Sequence, residues 1–154
     1  MGLTELQNRL YDRMRHPEAY RAVGGPGDRP DFSALEGQRY ALLTTFRASG
    51  DPVPTPVWFG LSRGRAYVRT GAGTAKVKRI RRDPRVRLCP STVRGRPLGP
   101  SSEGRARVLE REAAQHAEAA LQGNYGLGRR LFERTAGAVG DAVYLEIAPA
   151  GAAA

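Results

Sequence analysis

Lys76 and Lys78 are the only lysines in this chain, and every other basic side chain among its 25 is an arginine. Both follow a glycine turn, residues 71–75, that leads from a predicted strand into a predicted basic helix. Such a turn presents backbone N–H groups and the positive end of a helix dipole, which together favour an anion. Lysine adds a compact charge that suits a phosphate or a carboxylate. The pattern therefore indicates a bound anionic ligand.

Two known nucleotide-binding loops do not match this turn. The P-loop requires a glycine before its lysine and a serine or threonine after it, whereas Ala75 and Val77 flank Lys76. The dinucleotide fingerprint requires a third glycine where Lys76 stands. Two interpretations remain open: an anion site with Thr70 and Thr74 as hydrogen-bond donors, or a plain turn before a solvated helix.

The segment Pro54-Thr55-Pro56-Val57-Trp58 is the second unusual feature. Proline has no N–H, so two prolines in one strand are typical of a sheet edge. The amides of Thr55 and Val57 would then be free to meet a flat heteroaromatic ring, and Trp58, the only tryptophan, could line its pocket. The alternative is an ordinary edge strand with a tryptophan in the core.

Other catalytic chemistries find little support in the sequence. His16 and His116 lack the companion cysteines or paired acids of a metal site. Cys89 lies in an apolar strand before Pro90, which favours a buried, inert thiol over a nucleophile. We therefore predict no metal ligand and name no catalytic residue. The pattern fits an enzyme whose cofactor performs the reaction.

Composition limits the class of protein. A chain of 154 residues fits one domain, and a single cysteine cannot form an internal disulfide. No apolar run approaches the ~18 residues of a membrane span, and the first residues lack the order of a signal peptide, so we expect a cytoplasmic protein. The net charge of +10 fits a polyanionic ligand, a codon bias towards arginine or, as a remote alternative, a nucleic-acid-binding module. No helix-turn-helix or RNA-recognition motif supports the last alternative, so we expect no nucleic acid partner.

The order of elements predicts a mainly β (α+β) domain. We expect an N-terminal helix and linker at 1–31, a cofactor-binding domain at 32–150 and a disordered tail at 151–154. Short strands joined by tight turns, with helices late in the chain, favour a small antiparallel barrel. The predicted strands are 39–46, 53–61, 66–70, 85–89, 104–110 and 142–147, and the predicted helices of the domain are 75–82, 111–122 and 127–135.

These segments together resemble the flavin/deazaflavin oxidoreductase superfamily, relatives of pyridoxamine phosphate oxidase. The resemblance rests on the order of the segments 40–46, 50–59, 67–70, 75–86 and 103–106. It implies a split β-barrel with a few peripheral helices. Within the superfamily the chain is most similar to enzymes that use coenzyme F420, a deazaflavin, and FMN is the alternative cofactor.

The resemblance also implies a set of cofactor-binding residues. The strand matching Thr55, Pro56, Val57 and Trp58 lies against the tricyclic ring and ribityl chain in the family. The positions of Arg69 and Thr70 approach the cofactor's side chain, and those of Ala75 and Lys76 open the helix, with the lysine on the phosphate. Pyridoxamine phosphate oxidases commonly have arginine where Ala75 stands, so phosphate binding here is expected to depend on Lys76 and backbone amides.

The remaining basic residues of this segment and the expected reaction also follow from the resemblance. Lys78, Arg79 and Arg82 would serve a polyglutamate tail if the cofactor is F420. Family members are homodimers with cofactor sites at the subunit interface. The expected reaction is hydride transfer between the reduced deazaflavin and a small organic acceptor, or the chemistry of an FMN-binding oxidoreductase or flavin reductase of the same fold.

Overall fold

The computed structural model describes residues 15–19, 30–135 and 141–151, with residues 125–135 described by their backbone alone. The N-terminal helix predicted before residue 15 and most of the predicted linker lie outside the described residues, as does the end of the tail. The predicted division into 1–31, 32–150 and 151–154 therefore stays a prediction.

The described chain forms one antiparallel sheet of seven strands, with two helices packed on it. The order across the sheet is β2-β1-β5-β6-β7-β4-β3. The sheet curls, so that β2 approaches β4 although the two do not pair. The strands are β1 (Tyr40–Phe46), β2 (Pro52–Trp58), β3 (Gly60–Ser62), β4 (Arg65–Gly71), β5 (Arg85–Ser91), β6 (Ser102–Val108) and β7 (Ala142–Pro149); the helices are α1 (Ala75–Arg82) and α2 (Ala114–Thr135).

The core lies on the inner, concave face of this curled sheet. Alternate residues of each strand point to this face, which is why the sequence shows a period of two. Ile80 of α1 packs into the same cluster, so α1 is held against the sheet by its apolar side. The strand residues of the cluster are Ala41, Leu43, Val57, Ala66, Val68, Val86, Leu88, Ala106, Leu145 and Ile147. This arrangement confirms the predicted mainly β, split-barrel fold with peripheral helices.

The strand predicted over 53–61 is two strands, β2 and β3, which separate at Phe59. The reason is the close approach of α2 to Gly60. A Cβ on Gly60 would lie 2.2 Å from the backbone oxygen of Ala120, so only glycine allows the helix to cross here. The chain bends at this point and β3 pairs with β4 instead of continuing the β1–β2 ladder.

The two helices predicted at 111–122 and 127–135 are one helix, α2, preceded by a short 3₁₀ turn. Gly123, Gly126 and Gly128 lie where the two predicted helices would meet, and a glycine costs a helix about 1 kcal/mol. Packing outweighs that cost. Ala117 and Leu121 are fully buried, and the Asn124 side chain donates to the backbone oxygens of Gln38 and Phe59. Among the described residues, no helix has the length and apolar content that crossing a membrane requires.

Candidate functional site

The turn between β4 and α1 leaves the start of the helix without a side-chain cap. Thr74 occupies the N-cap position, but its hydroxyl donates back to the carbonyl oxygen of Gly71 at 2.9 Å. The first-turn amides, residues 75–77, have no partner within a helix by construction. They form the kind of N–H cluster that binds an anion at a helix N-terminus.

Lys76 places a positive charge at this helix start. Its Nζ donates to Thr70 Oγ1 at 3.2 Å, and the side chain is half-buried. Burial, followed by repulsion from Arg79, lowers the pKa of Lys76 from 10.5 to about 8. No carboxylate of the described residues contributes to that shift. An ammonium group held in this way gains stability when an anion arrives.

The other basic residues of α1 point in different directions. Arg79 donates from Nε to Thr45 Oγ1 at 2.6 Å, and Arg82 donates from Nη2 to the Phe46 carbonyl oxygen at 2.6 Å. Both contacts bind α1 to the end of β1. Lys78 is exposed. Of the three residues that the resemblance linked to a polyglutamate tail, Arg79 and Arg82 are therefore held at the end of β1, and Lys78 faces solvent.

The predicted cofactor residues of β2 do not share one face. Val57 belongs to the core cluster, so Thr55, two residues earlier, also lies on the inner face. Pro56 and Trp58 lie on the outer face. The predicted residues of β4 divide in the same way, because Thr70 follows Val68 on the inner face while Arg69 lies on the outer one.

The structure therefore brings together only part of the predicted set. Thr70 and Lys76 are in contact, and Ala75 precedes Lys76 in the same helical turn. Thr55 and Val57 share the inner face with Thr70, on a strand that approaches β4. Within one chain, the outer-face residues lie on the other side of the sheet; these are Pro56, Trp58 and Arg69.

The expectation that the Thr55 and Val57 amides are free is wrong. The Arg47 N–H donates to the Asp51 carbonyl at 2.9 Å, which fixes a hydrogen-bonded pair at the start of the β1–β2 ladder. Hydrogen-bonded pairs recur at every second residue of an antiparallel ladder. In the observed register, Thr55 and Val57 therefore direct their amides towards β1. The alternate residues of β2, Pro54 and Pro56, face the open edge, where a missing N–H costs nothing.

Sequence reasoning missed Thr45 as a contact of α1. Its side chain is 1% exposed, and it reaches Arg79 from 34 positions earlier in the chain. The signal that was available is a polar pair, Thr44-Thr45, at the end of an otherwise apolar strand. Only the antiparallel packing shows that this strand end meets α1.

A second polar cluster lies on the outer face around Glu146, which is 9% exposed. Glu146 accepts hydrogen bonds from Arg65 at 2.8 Å, Arg107 at 2.9 Å and the Tyr67 hydroxyl at 3.0 Å. Burial acts to raise the pKa of Glu146, but these donors outweigh it and the pKa is lowered. His116 of α2 packs edge-on against the Tyr67 ring. Every group here has a partner, so the cluster is best understood as structural.

An open cleft of about 470 Å³ lies between α2, β3 and the turn before β1. Its lining includes Leu35, Phe59 and His116 but none of the predicted cofactor residues. The cleft is at the opposite end of β1 from α1, roughly 20 Å away along a seven-residue strand. The cleft therefore lacks the predicted binding residues, whereas Lys76, whose charge no described carboxylate shifts, marks the α1 end as the candidate site.

A curled, split antiparallel barrel with this strand order is the fold of pyridoxamine 5'-phosphate oxidase-like proteins. Residues 32–152 match the family described as pyridoxamine 5'-phosphate oxidase. The match covers well over half of the chain, and the chain belongs to this family. A comparison with curated protein sequences gives no significant match.

Solved structures with the same fold include three from bacteria. A conserved hypothetical protein from Mycobacterium tuberculosis is 19% identical, with a TM-score of 0.57 over 82% of this chain and 86% of that one. A protein from Listeria innocua, provisionally assigned as a pyridoxamine 5'-phosphate oxidase, is 21% identical, with a TM-score of 0.53 over 77% and 89%. An FAD-binding protein from Mesorhizobium loti is 17% identical, with a TM-score of 0.56 over 76% and 83%. At these identities the likeness shows the fold alone.

Proposed function

We propose that the chain is an oxidoreductase that uses coenzyme F420 for hydride transfer to a small organic acceptor. The observation that carries the proposal is Lys76, a half-buried ammonium beside Arg79 whose pKa is shifted by no acidic partner in the described part of the chain. Holding an uncompensated charge in a poorly solvated place is unfavourable, and an anionic ligand removes that penalty. A family of cofactor-binding enzymes supplies such a ligand in the phosphate of its cofactor.

The residues of this end of the sheet fit a phosphate-bearing cofactor. Lys76, the Thr70 hydroxyl and the first-turn amides from Ala75 onward would hold the phosphate. Thr55 and Val57, on the inner face of the approaching strand, would flank the ribityl chain and one side of the ring. The cofactor supplies the hydride chemistry when bound, while the protein binds it, orients the acceptor and excludes water. No side chain of the described residues is assigned a catalytic role.

The charge of α1 favours F420 over FMN. The eight residues of α1, Ala75–Arg82, include five cations and no acidic residue. FMN ends at its phosphate, whereas F420 continues into a chain of glutamate carboxylates. Lys78 and Arg82 lie farther along the helix than Lys76, where such a chain would leave the pocket. The runner-up is an FMN-dependent oxidoreductase or flavin reductase, and one protein of the same fold is described as FAD-binding.

A homodimer would bring the outer-face residues into a cofactor site. Pro56, Trp58 and Arg69 lie on the other side of the sheet from Lys76 within one chain, so we propose that they serve the site of a second copy. The loop beside Pro56 supports an interface there. A Cβ on Gly95 would lie 3.1 Å from Pro56 Cγ, and the same loop exposes Val93 by 59% and Leu98 by 50%.

One titration tests the proposed function. Purified protein is titrated against F420 and, in parallel, against FMN, with cofactor fluorescence as the readout. The proposal expects quenching of F420 at lower protein concentration than FMN requires. Tighter binding of FMN, or a yellow protein that releases FMN on denaturation, would favour the runner-up. Failure of both cofactors to bind would contradict the proposed function altogether.

A further inference from the structure

The open cleft between α2, β3 and the turn before β1 owes its shape to the path of α2 over the sheet. At Gly60 the helix backbone is so close that no Cβ fits, whereas a Cβ on Gly123, one turn after the crossing, would meet nothing within 4 Å. The cleft opens beside this second point, and Gly123 is part of its lining. Its volume of about 470 Å³ is that of a small-molecule site.

The walls of the cleft are largely apolar. Leu35 and Phe59 close the bottom, and each is 1% exposed. Above them, half-buried Leu61 of β3 and the methyl groups of Ala119 and Ala120 of α2 offer accessible apolar surface. These walls fit the apolar body of an organic molecule.

Asn124 supplies a hydrogen-bond acceptor to the cleft. Its Nδ2 donates to the backbone oxygen of Gln38 at 3.1 Å and to that of Phe59 at 2.8 Å. Because a carbonyl oxygen accepts only from an N–H group, these two bonds fix the orientation of the amide and use both of its hydrogens. Its Oδ1 remains as an acceptor without a protein partner in the described part of the chain.

The charge of the cleft is opposite to that of the molecule as a whole. The chain has 25 basic and 15 acidic residues, yet among the described residues of the lining Glu36 is the only one with a charged side chain. Glu36 is exposed, and its carboxylate makes no ion pair or hydrogen bond within the described residues. Arg39 and Arg63 lie close by in sequence but do not line the cleft. A cleft with a carboxylate and an amide oxygen favours a ligand whose polar end is cationic and donates hydrogen bonds.

We propose that this cleft binds a small organic amine. The apolar body of the amine lies along Leu61 and the alanines of α2, and its ammonium group is held by the acceptors Glu36 and Asn124. The cofactor's phosphate does not suit this cleft, because no described residue of the lining is basic. The inference is independent of the proposed function, and it gives the two ends of the barrel ligands of opposite charge.

Three indoles that differ only in their polar end test the charge requirement: tryptamine with an ammonium group, tryptophol with a hydroxyl group and indole-3-acetate with a carboxylate. Each is titrated into the ¹⁵N-labelled full chain, and the backbone amide signals of Gly37 and Gly123 report on the cleft. Tryptamine should shift both signals in a saturable way, with an affinity about threefold higher than that of tryptophol. Indole-3-acetate should give no saturable shift there. The net charge of +10 would favour the carboxylate, so general electrostatics cannot produce this order.

Two variants test whether the cleft is the binding site. Gly123→Leu places a side chain in the cleft without a clash and favours the helix, so it should abolish the shift at Gly37 while the protein stays folded. Glu36→Gln should weaken tryptamine about threefold and leave tryptophol unchanged. Glu110→Gln is the matched control, because Glu110 is an exposed acid outside the cleft, and it should change neither affinity.

Three results would overturn the inference. The first is the absence of a saturable shift at Gly37 and Gly123 with tryptamine. The second is a folded Gly123→Leu variant that binds tryptamine as well as wild type does. The third is an equal loss in Glu36→Gln and Glu110→Gln, which would assign the preference for the amine to the overall charge and not to the cleft. The titration with F420 decides the proposed function separately, whichever of these results is found.

Discussion

Cofactor binding should weaken as pH rises from about 7 to about 9, because Lys76 must be protonated to meet the phosphate. The pKa of Lys76 is about 8 in the free protein, against an ordinary value of 10.5. A bound phosphate restores the pKa to at least that ordinary value, since an opposite charge favours the ammonium form. Proton linkage then predicts about tenfold weaker binding at pH 9 than at pH 7.

The assay measures F420 affinity by fluorescence across this pH range and compares it with the affinity of the phosphate-free chromophore. Because both ligands carry the same ring, the ratio of the two affinities is independent of any titration of the ring. Lys76→Arg provides the matched control, because arginine stays charged throughout and its ratio should not change with pH. An affinity ratio that does not change with pH in the wild type would refute the reasoning. The same pH dependence of the ratio in Lys76→Arg and in wild type would also refute it.

Three further predictions concern stability, each measured by urea unfolding. Lys76→Met should raise the free energy of unfolding at pH 7 by up to about 3 kcal/mol, since it removes a charge whose folded pKa is lowered. This gain should disappear as pH rises from about 8 towards 10.5, where the lysine of the wild type becomes neutral in both states. A variant less stable than wild type at pH 7 would contradict the prediction. Gly60→Ala should cost at least about 3 kcal/mol, because its Cβ would lie 2.2 Å from the Ala120 oxygen. Gly123→Ala is the control: with nothing within 4 Å of its Cβ, it should stabilise α2 by about 1 kcal/mol. Similar effects from Gly60→Ala and Gly123→Ala would disprove the close packing of Gly60 against α2. Glu146→Gln should lower the free energy of unfolding by about 1–3 kcal/mol at pH 7. The difference from wild type should shrink as pH falls below 4.5, because a carboxylate with a lowered folded pKa loses its stabilisation on protonation. A difference that stays constant at all pH values would be the opposing result.

Much of the fold is predictable from local pattern. The helix predicted over 75–82 has the observed bounds of α1, because a glycine turn and Asp83-Pro84 mark its two ends. Strand alternation likewise places Val57 in the core. The errors occur where two distant segments touch. Gly60 looked like part of a continuous strand because the sequence does not show that α2 crosses it.

The candidate site was predictable to a similar degree. Lys76 and Thr70 lie in one local segment, and their contact follows from the turn that joins them. The contact between Thr45 and Arg79 could not be found in this way, because the two residues are 34 positions apart and meet only where α1 packs on the end of β1. The faces of β2 also depend on register: the Arg47–Asp51 pair determines that Thr55 directs its amide towards β1.

The affinity of wild type and Lys76→Met for F420, measured side by side at pH 7, tests the central claim most directly. Wild type should quench F420 fluorescence on binding. Lys76→Met should bind F420 about 10- to 100-fold more weakly, the range expected for a lost hydrogen bond to a charged group, while both bind the phosphate-free chromophore equally. Equal F420 affinity in the two proteins would contradict the claim that Lys76 holds the cofactor's phosphate, and a wild type that binds neither F420 nor FMN would contradict the proposed function.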